Sequence, residues 1–126
     1  MKTALKNILV GAGLALAMTG ATAYAATGDV GGKYRVQGTN PNGSTYQGTA
    51  TITVTSENTC RIVWTTGGTS SEGICMRNQN AFSAGYVLQG DVGLVIYEIN
   101  GDGSMDGLWT VADQPGVGTE KLIPLR

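Results

Sequence analysis

From Tyr46 to Thr55 the residues alternate without a break. Tyr46, Gly48, Ala50, Ile52 and Val54 fall on one side, and Gln47, Thr49, Thr51, Thr53 and Thr55 on the other. A period of two is the pattern of a strand with one buried and one wet face, and it argues against an amphipathic helix over the same span. The pattern recurs along the chain, and no helical period competes with it after residue 25. Eight strands are expected: Gly32–Gly38, Thr45–Thr55, Thr59–Thr65, Ser71–Arg77, Ala81–Leu88, Gly93–Ile99, Ser104–Val111 and Thr119–Leu125. The gaps between them are short and hold turn formers, such as Asn40-Pro41-Asn42-Gly43, Gly67-Gly68 and Asn100-Gly101-Asp102-Gly103. Short gaps join neighbouring antiparallel strands, which makes a meander. The expected class is therefore all-β, an eight-stranded antiparallel up-and-down barrel with no exposed edge, with a two-sheet sandwich as the alternative.

The two cysteines, Cys60 and Cys75, lie symmetrically about Gly67-Gly68. A hairpin centred on that pair sets Cys60 opposite Cys75, Ile62 opposite Gly73 and Trp64 opposite Ser71. Opposed β-carbons lie about 4.5–5.5 Å apart, within reach of a disulfide. A four-residue Thr-Gly-Gly-Thr loop would place the pair at the favourable, non-hydrogen-bonded parity, whereas a two-residue loop would not. Closing a loop of this size stabilises a fold by roughly 3 kcal/mol on the chain-entropy argument. The competing reading, reactive or metal-binding thiols, is opposed by this registry, by the expected export and by the absence of histidine.

The first residues set the expected compartment. Lys2 and Lys6 form a short basic region, Ile8 to Met18 an apolar one, and Ala23-Tyr24-Ala25 a cleavage site. Together they read as a secretory signal peptide over 1–25, followed by a single β-barrel domain over 26–126. The apolar core is too short for a membrane span. A secreted or periplasmic location follows, where disulfides persist. The full chain holds 8 basic and 9 acidic groups, and losing Lys2 and Lys6 leaves 6 against 9. That mildly acidic balance, without a basic cluster, argues against nucleic acid or an anionic lipid surface as partner.

Catalytic chemistry finds little purchase. With no histidine, the usual general base and the commonest zinc ligand are missing. Glu72, Glu98, Asp106 and Glu120 could supply carboxylate pairs, but no spacing singles one out. No catalytic residue, metal ligand or cofactor is assigned, and the chain reads as a nonenzyme. The loop from Asn100 to Asp106 carries oxygen ligands at alternate positions, yet Met105 and Val111 stand where a calcium loop needs glycine and an acid. Its likeness to Asn40-Pro41-Asn42-Gly43-Ser44 is explained by shared turn chemistry or by an ancient duplication.

Seven aromatic residues lie on six of the eight strands. They fill a small barrel's interior or line a ligand cavity, in which case Trp64, Trp109, Tyr34, Tyr86 and Tyr97 are the candidate binding residues. Small residues on the same faces, Gly48, Ala50, Gly73, Ala84 and Gly107, would leave room for a ligand or accommodate neighbouring rings.

The string GKYRVQGTNPNGSTYQGTATITV, followed by CRIVW, EGIC, GLVIYEINGDGSMDGLWTV and GTEKL, resembles a family of small exported proteobacterial proteins often labelled "fibronectin-binding protein". The resemblance covers nearly all of the chain after residue 25. It implies adhesion to an extracellular matrix protein and carries no catalytic residues. The architecture is more loosely similar to periplasmic barrel inhibitors of proteases or lysozyme. The expected function is noncatalytic binding of an extracellular or envelope protein, adhesin- or inhibitor-like, with a small apolar ligand carried in the barrel interior as the alternative.

Overall fold

The structure, a computed structural model, describes residues 28–126; the signal peptide expected over 1–25 lies outside these residues. Eight strands follow one another: β1 (Gly32–Thr39), β2 (Thr45–Val54), β3 (Thr59–Thr66), β4 (Thr69–Asn78), β5 (Ala81–Leu88), β6 (Asp91–Ile99), β7 (Met105–Val111) and β8 (Gly118–Pro124). Every expected strand is present, with ends shifted by two residues or fewer. Each pairs antiparallel with the next, and β8 returns to β1 in the register Val36↔Leu122, so the sheet closes into a barrel. The sandwich is thereby excluded. Closure matters because an open edge would leave a row of unpaired backbone groups. Among the described residues no helix is long and apolar enough to cross a membrane.

The hairpin between β3 and β4 has the expected register, Cys60↔Cys75, Ile62↔Gly73 and Trp64↔Ser71, and the cysteines form a disulfide. Its loop is two residues long rather than four. Gly67 and Gly68 both take positive φ, 55° and 83°, the backbone that matches the right-handed twist of the flanking strands. A two-residue loop puts the pair at the less favourable, hydrogen-bonded parity of a regular ladder. Both cysteines point into the barrel, however, where curvature draws opposed residues together, and their Cα atoms lie 5.0 Å apart.

The two similar loops are superposable in their bonding. Asn40 N–H donates to Ser44 O at 2.7 Å and Asn100 N–H to Ser104 O at 2.8 Å. Asn42 Oδ1 accepts from the Ser44 amide and hydroxyl, as Asp102 Oδ1 does from those of Ser104. The Asp102 carboxylate thus caps a turn, which explains its place in the motif.

Inside, the lower barrel is filled by Val36, Ile62, Cys75, Phe82, Met105 and Leu122, all fully buried. Its lower end is closed by the segment before β1: Val30 is buried, and its carbonyl accepts a 2.7 Å hydrogen bond from Tyr34 Oη. Outside, β2 presents threonines, as expected of a wet face. The outer face of β4 to β7 departs from that rule. Ile74, Met76, Val87, Val92, Leu94, Ile96 and Leu108 are each 50–64 % exposed, and the registers Ser83↔Ile96, Ile96↔Leu108 and Val87↔Val92 make them neighbours.

Candidate functional site

The upper end of the barrel is a cup. It is reached between the loop after β1 and the β3–β4 and β5–β6 turns, and its cavity measures about 240 Å³. Tyr46, Trp64, Tyr86 and Trp109 form its aromatic wall, with Leu88 and Val95 between them and Glu120 at its base.

Backbone register explains how the rings are held. Tyr46 lies opposite Gly38, Tyr86 opposite Gly93, Tyr97 opposite Gly107 and Trp109 opposite Gly118. In each pair the ring covers the glycine closely enough that a methyl group there would collide with it: 2.0 Å from Tyr46 Cζ, 2.2 Å from Tyr86 Cζ, 2.5 Å from Tyr97 Cδ1 and 2.2 Å from Trp109 Cε2. Each aromatic side chain is seated on the neighbouring strand, which fixes its direction before any tertiary contact is made. The rings then meet in edge-to-face pairs: Trp64 with Tyr86 at 5.2 Å between centroids, and Tyr46 with Trp109 at 6.2 Å. Small residues on these faces therefore seat rings at Gly107, while at Gly73 a methyl group would strike backbone, 2.0 Å from Gly85 O.

Glu120 is the polar centre. Its side chain points inward from β8 and is only 8 % exposed. Tyr46 Oη donates to Oε1 at 2.7 Å, Trp64 Nε1 to Oε2 at 3.0 Å, and Tyr97 Oη also to Oε2. Three donors satisfy a buried carboxylate that has no basic residue among the cup's lining. The consequence shows in the tyrosines. Burial, reinforced by the negative charge of Glu120, raises the Tyr86 phenol to about 12 and holds those of Tyr46 and Tyr97 well above their ordinary value. These hydroxyls stay protonated as donors.

Of the candidate binding residues, Trp64, Tyr86 and Trp109 meet in the cup, and Tyr97 supports Glu120 from beneath it. Tyr34 is separate: it faces inward at the opposite end and helps close it. Tyr46 and Glu120 also belong to the cup, beyond the candidate residues that the sequence supplies. Their signal is one of parity, since Tyr46 shares a face with Ala50 and Ile52, and Glu120 shares one with Leu122.

No described protein family and no curated protein matches this sequence. Solved structures do match in fold. A redesigned β-barrel shares 16 % identity over 84 % of this chain and 96 % of its own, with a TM-score of 0.67. Another redesigned barrel, mFAP1, solved bound to DFHBI, shares 16 % over 83 % and 98 %, at 0.64. A de novo designed fluorescence-activating barrel shares 12 % over 75 % and 93 %, at 0.61. At such identities the likeness is one of fold: the chain is similar to designed β-barrels.

Proposed function

We propose that this protein is a noncatalytic binding protein whose upper cup takes a small, single-ring-sized organic molecule. The observation that carries this reading is a water-reachable cavity of about 240 Å³, walled by four aromatic rings and floored by one buried, hydrogen-bonded carboxylate. Apolar walls with a single polar anchor are the usual composition of a small-molecule site, and an engineered cavity of about 150 Å³ is already large enough for benzene. The ligand is amphipathic rather than purely apolar, because burying Glu120 under a wholly apolar group would leave that carboxylate with less solvation and no new partner. Two similar barrels, mFAP0 and mFAP1, were solved bound to DFHBI, which supports a small-molecule role for a barrel of this kind. The chain's two tryptophans both line the cup, so intrinsic fluorescence reports occupancy directly. Titration with a panel of single-ring compounds is expected to shift or quench that emission saturably for some members. A panel without one saturable response would refute the cup as a ligand site.

Protein binding has an observation of its own, the apolar outer face of β4 to β7. Seven half-exposed side chains there offer on the order of 700 Å², close to the roughly 800 Å² per partner of a standard interface. The occupant proposed is an extracellular protein, with fibronectin the member that the sequence resemblance names. Surface plasmon resonance against purified fibronectin, with Leu94→Glu and Ile96→Glu as controls, tests it. No binding by the wild type, or binding that both variants retain, would remove this reading.

A further inference from the structure

The cup's ligand class can be narrowed, on the reading that the cup is a ligand site. We infer that it selects a small organic cation, an aryl- or alkylammonium, whose charged head meets Glu120 and whose body lies against the rings. Three independent features converge on this.

The first is the unfilled capacity of the carboxylate. An ionised carboxylate offers about four lone-pair positions. Oε2 accepts from both Trp64 Nε1 and Tyr97 Oη, whereas Oε1 accepts only from Tyr46 Oη, the ring on the cup's wall. One acceptor position is therefore left on Oε1, in a residue that lines the cavity. The second is the wall itself. Tyr46, Trp64, Tyr86 and Trp109 bring four electron-rich rings to one cavity, and aromatic cages favour ammonium groups over neutral isosteres. The two phenols of that wall do not compete as anions: Tyr46 Oη donates to Glu120 and Tyr86 Oη to the Thr110 carbonyl.

The third is the distribution of charge over the molecule. The strand ends and loops surrounding the mouth are residues 38–48, 64–71, 86–93 and 109–120. They carry Asp91, Asp113 and Glu120 and not one lysine or arginine. The basic side chains of the described residues, Lys33, Arg35, Arg61, Arg77, Lys121 and Arg126, all lie along the outer wall or toward the lower end. A mouth bearing acids of one sign, above a carboxylate with no basic side chain beside it in the cup, attracts cations and repels anions over the whole approach path.

The test uses three probes of one shape on the oxidised protein at neutral pH and low salt: benzylammonium, benzyl alcohol and benzoate, followed by tryptophan fluorescence and calorimetry. Benzylammonium is expected to bind at least tenfold more tightly than benzyl alcohol, and benzoate not measurably. Glu120→Gln is expected to lower benzylammonium affinity tenfold or more while leaving benzyl alcohol within twofold, which a merely structural role for Glu120 would not produce. The wild-type comparison stands alone should that variant fold poorly. Equal affinity for the ammonium and the alcohol leaves the cup a ligand site and overturns the cation inference. Binding of none of the three, with the wider panel also silent, overturns both.

Discussion

Removing Glu120 isolates the energetic role of the cup's floor. In Glu120→Ala, Trp64 Nε1 and Tyr97 Oη lose their acceptor, and both side chains are 5 % exposed or less. A buried donor left unsatisfied costs about 1–3 kcal/mol, so the pair costs about 2–6 kcal/mol. Tyr46 is half-buried and lines the cavity, so its hydroxyl can regain water and adds little. Glu120→Gln is gentler for a geometric reason. The amide oxygen can stand where Oε2 stands and accept from both Trp64 and Tyr97. The amide nitrogen then faces Tyr46, whose hydroxyl can rotate to accept. What remains lost is the charge-assisted part of the bonding, about 1–2 kcal/mol. Urea unfolding of the oxidised protein, followed by circular dichroism and tryptophan emission, should rank wild type above Gln above Ala. For a domain of this size about 4 kcal/mol lowers Tm by about 15–30 °C. An alanine variant within about 0.5 kcal/mol of wild type would refute the account, as would a glutamine variant equally damaged, since the argument rests on acceptor geometry.

Other perturbations address different parts of the structure. Tyr34, Tyr46, Tyr86 and Tyr97 all have phenols raised by burial, Tyr86 to about 12, so their folded values exceed the unfolded 10.0. The stability this confers is complete below pH 10 and is lost as pH rises toward 12 and beyond; tyrosinate absorbance from these four should therefore appear together with unfolding, and a simple titration centred at pH 10 in a folded protein would contradict it. Replacing Cys60 and Cys75 with serine opens a loop of sequence separation 15 and should cost about 3 kcal/mol in urea unfolding, with no loss counting against an unfolded-state role for the bridge. Gly93→Ala puts a methyl group 2.2 Å from Tyr86 Cζ, so the ring must leave its seat; the near-ultraviolet circular dichroism of the Trp64–Tyr86 pair should change, and an unaltered spectrum would show that the ring is not held there.

The barrel was legible because its rules are local. Alternation marks each strand, turn formers mark each end, and short loops leave few ways to connect neighbours. The cysteines fixed one register outright, since symmetry about Gly67-Gly68 holds for a loop of either even length. Loop length itself was not legible, because it depends on two consecutive positive φ angles and on how strand twist prefers them. The cup was half visible. Parity tells which face a side chain takes, and it placed Trp64, Tyr86 and Trp109 inside. It says nothing of height along the barrel, which closure and stagger decide, so Tyr34 and Trp109 looked alike although they lie at opposite ends. Glu120 was the hardest. Its donors are 74, 56 and 23 residues away in sequence, and only the closed sheet brings them to one point.

The presence of that carboxylate bears on what the barrel is for. Below the cup the sheet fills space chiefly with side chains that carry no hydrogen-bonding group, Val36, Ile62, Phe82, Met105 and Leu122, and the Tyr34 hydroxyl there is spent on the Val30 carbonyl. The same alternation could have continued upward with aliphatic side chains and required neither the desolvation of a charge nor three donors arranged around it. Replacing a buried charge and its partners with apolar residues of similar volume is often neutral or stabilising, so a buried carboxylate is weak evidence of a stabilising device. Two of the three rings that satisfy it, Tyr46 and Tyr97, are held by glycines on neighbouring strands, each of which forgoes side-chain packing of its own. The upper half thus departs from the apolar packing below at Glu120, Tyr46, Trp64 and Tyr97 together, where the cup opens to solvent. Departures of that kind gather where a protein binds something, because an interior optimised only for packing leaves no group free to recognise a ligand.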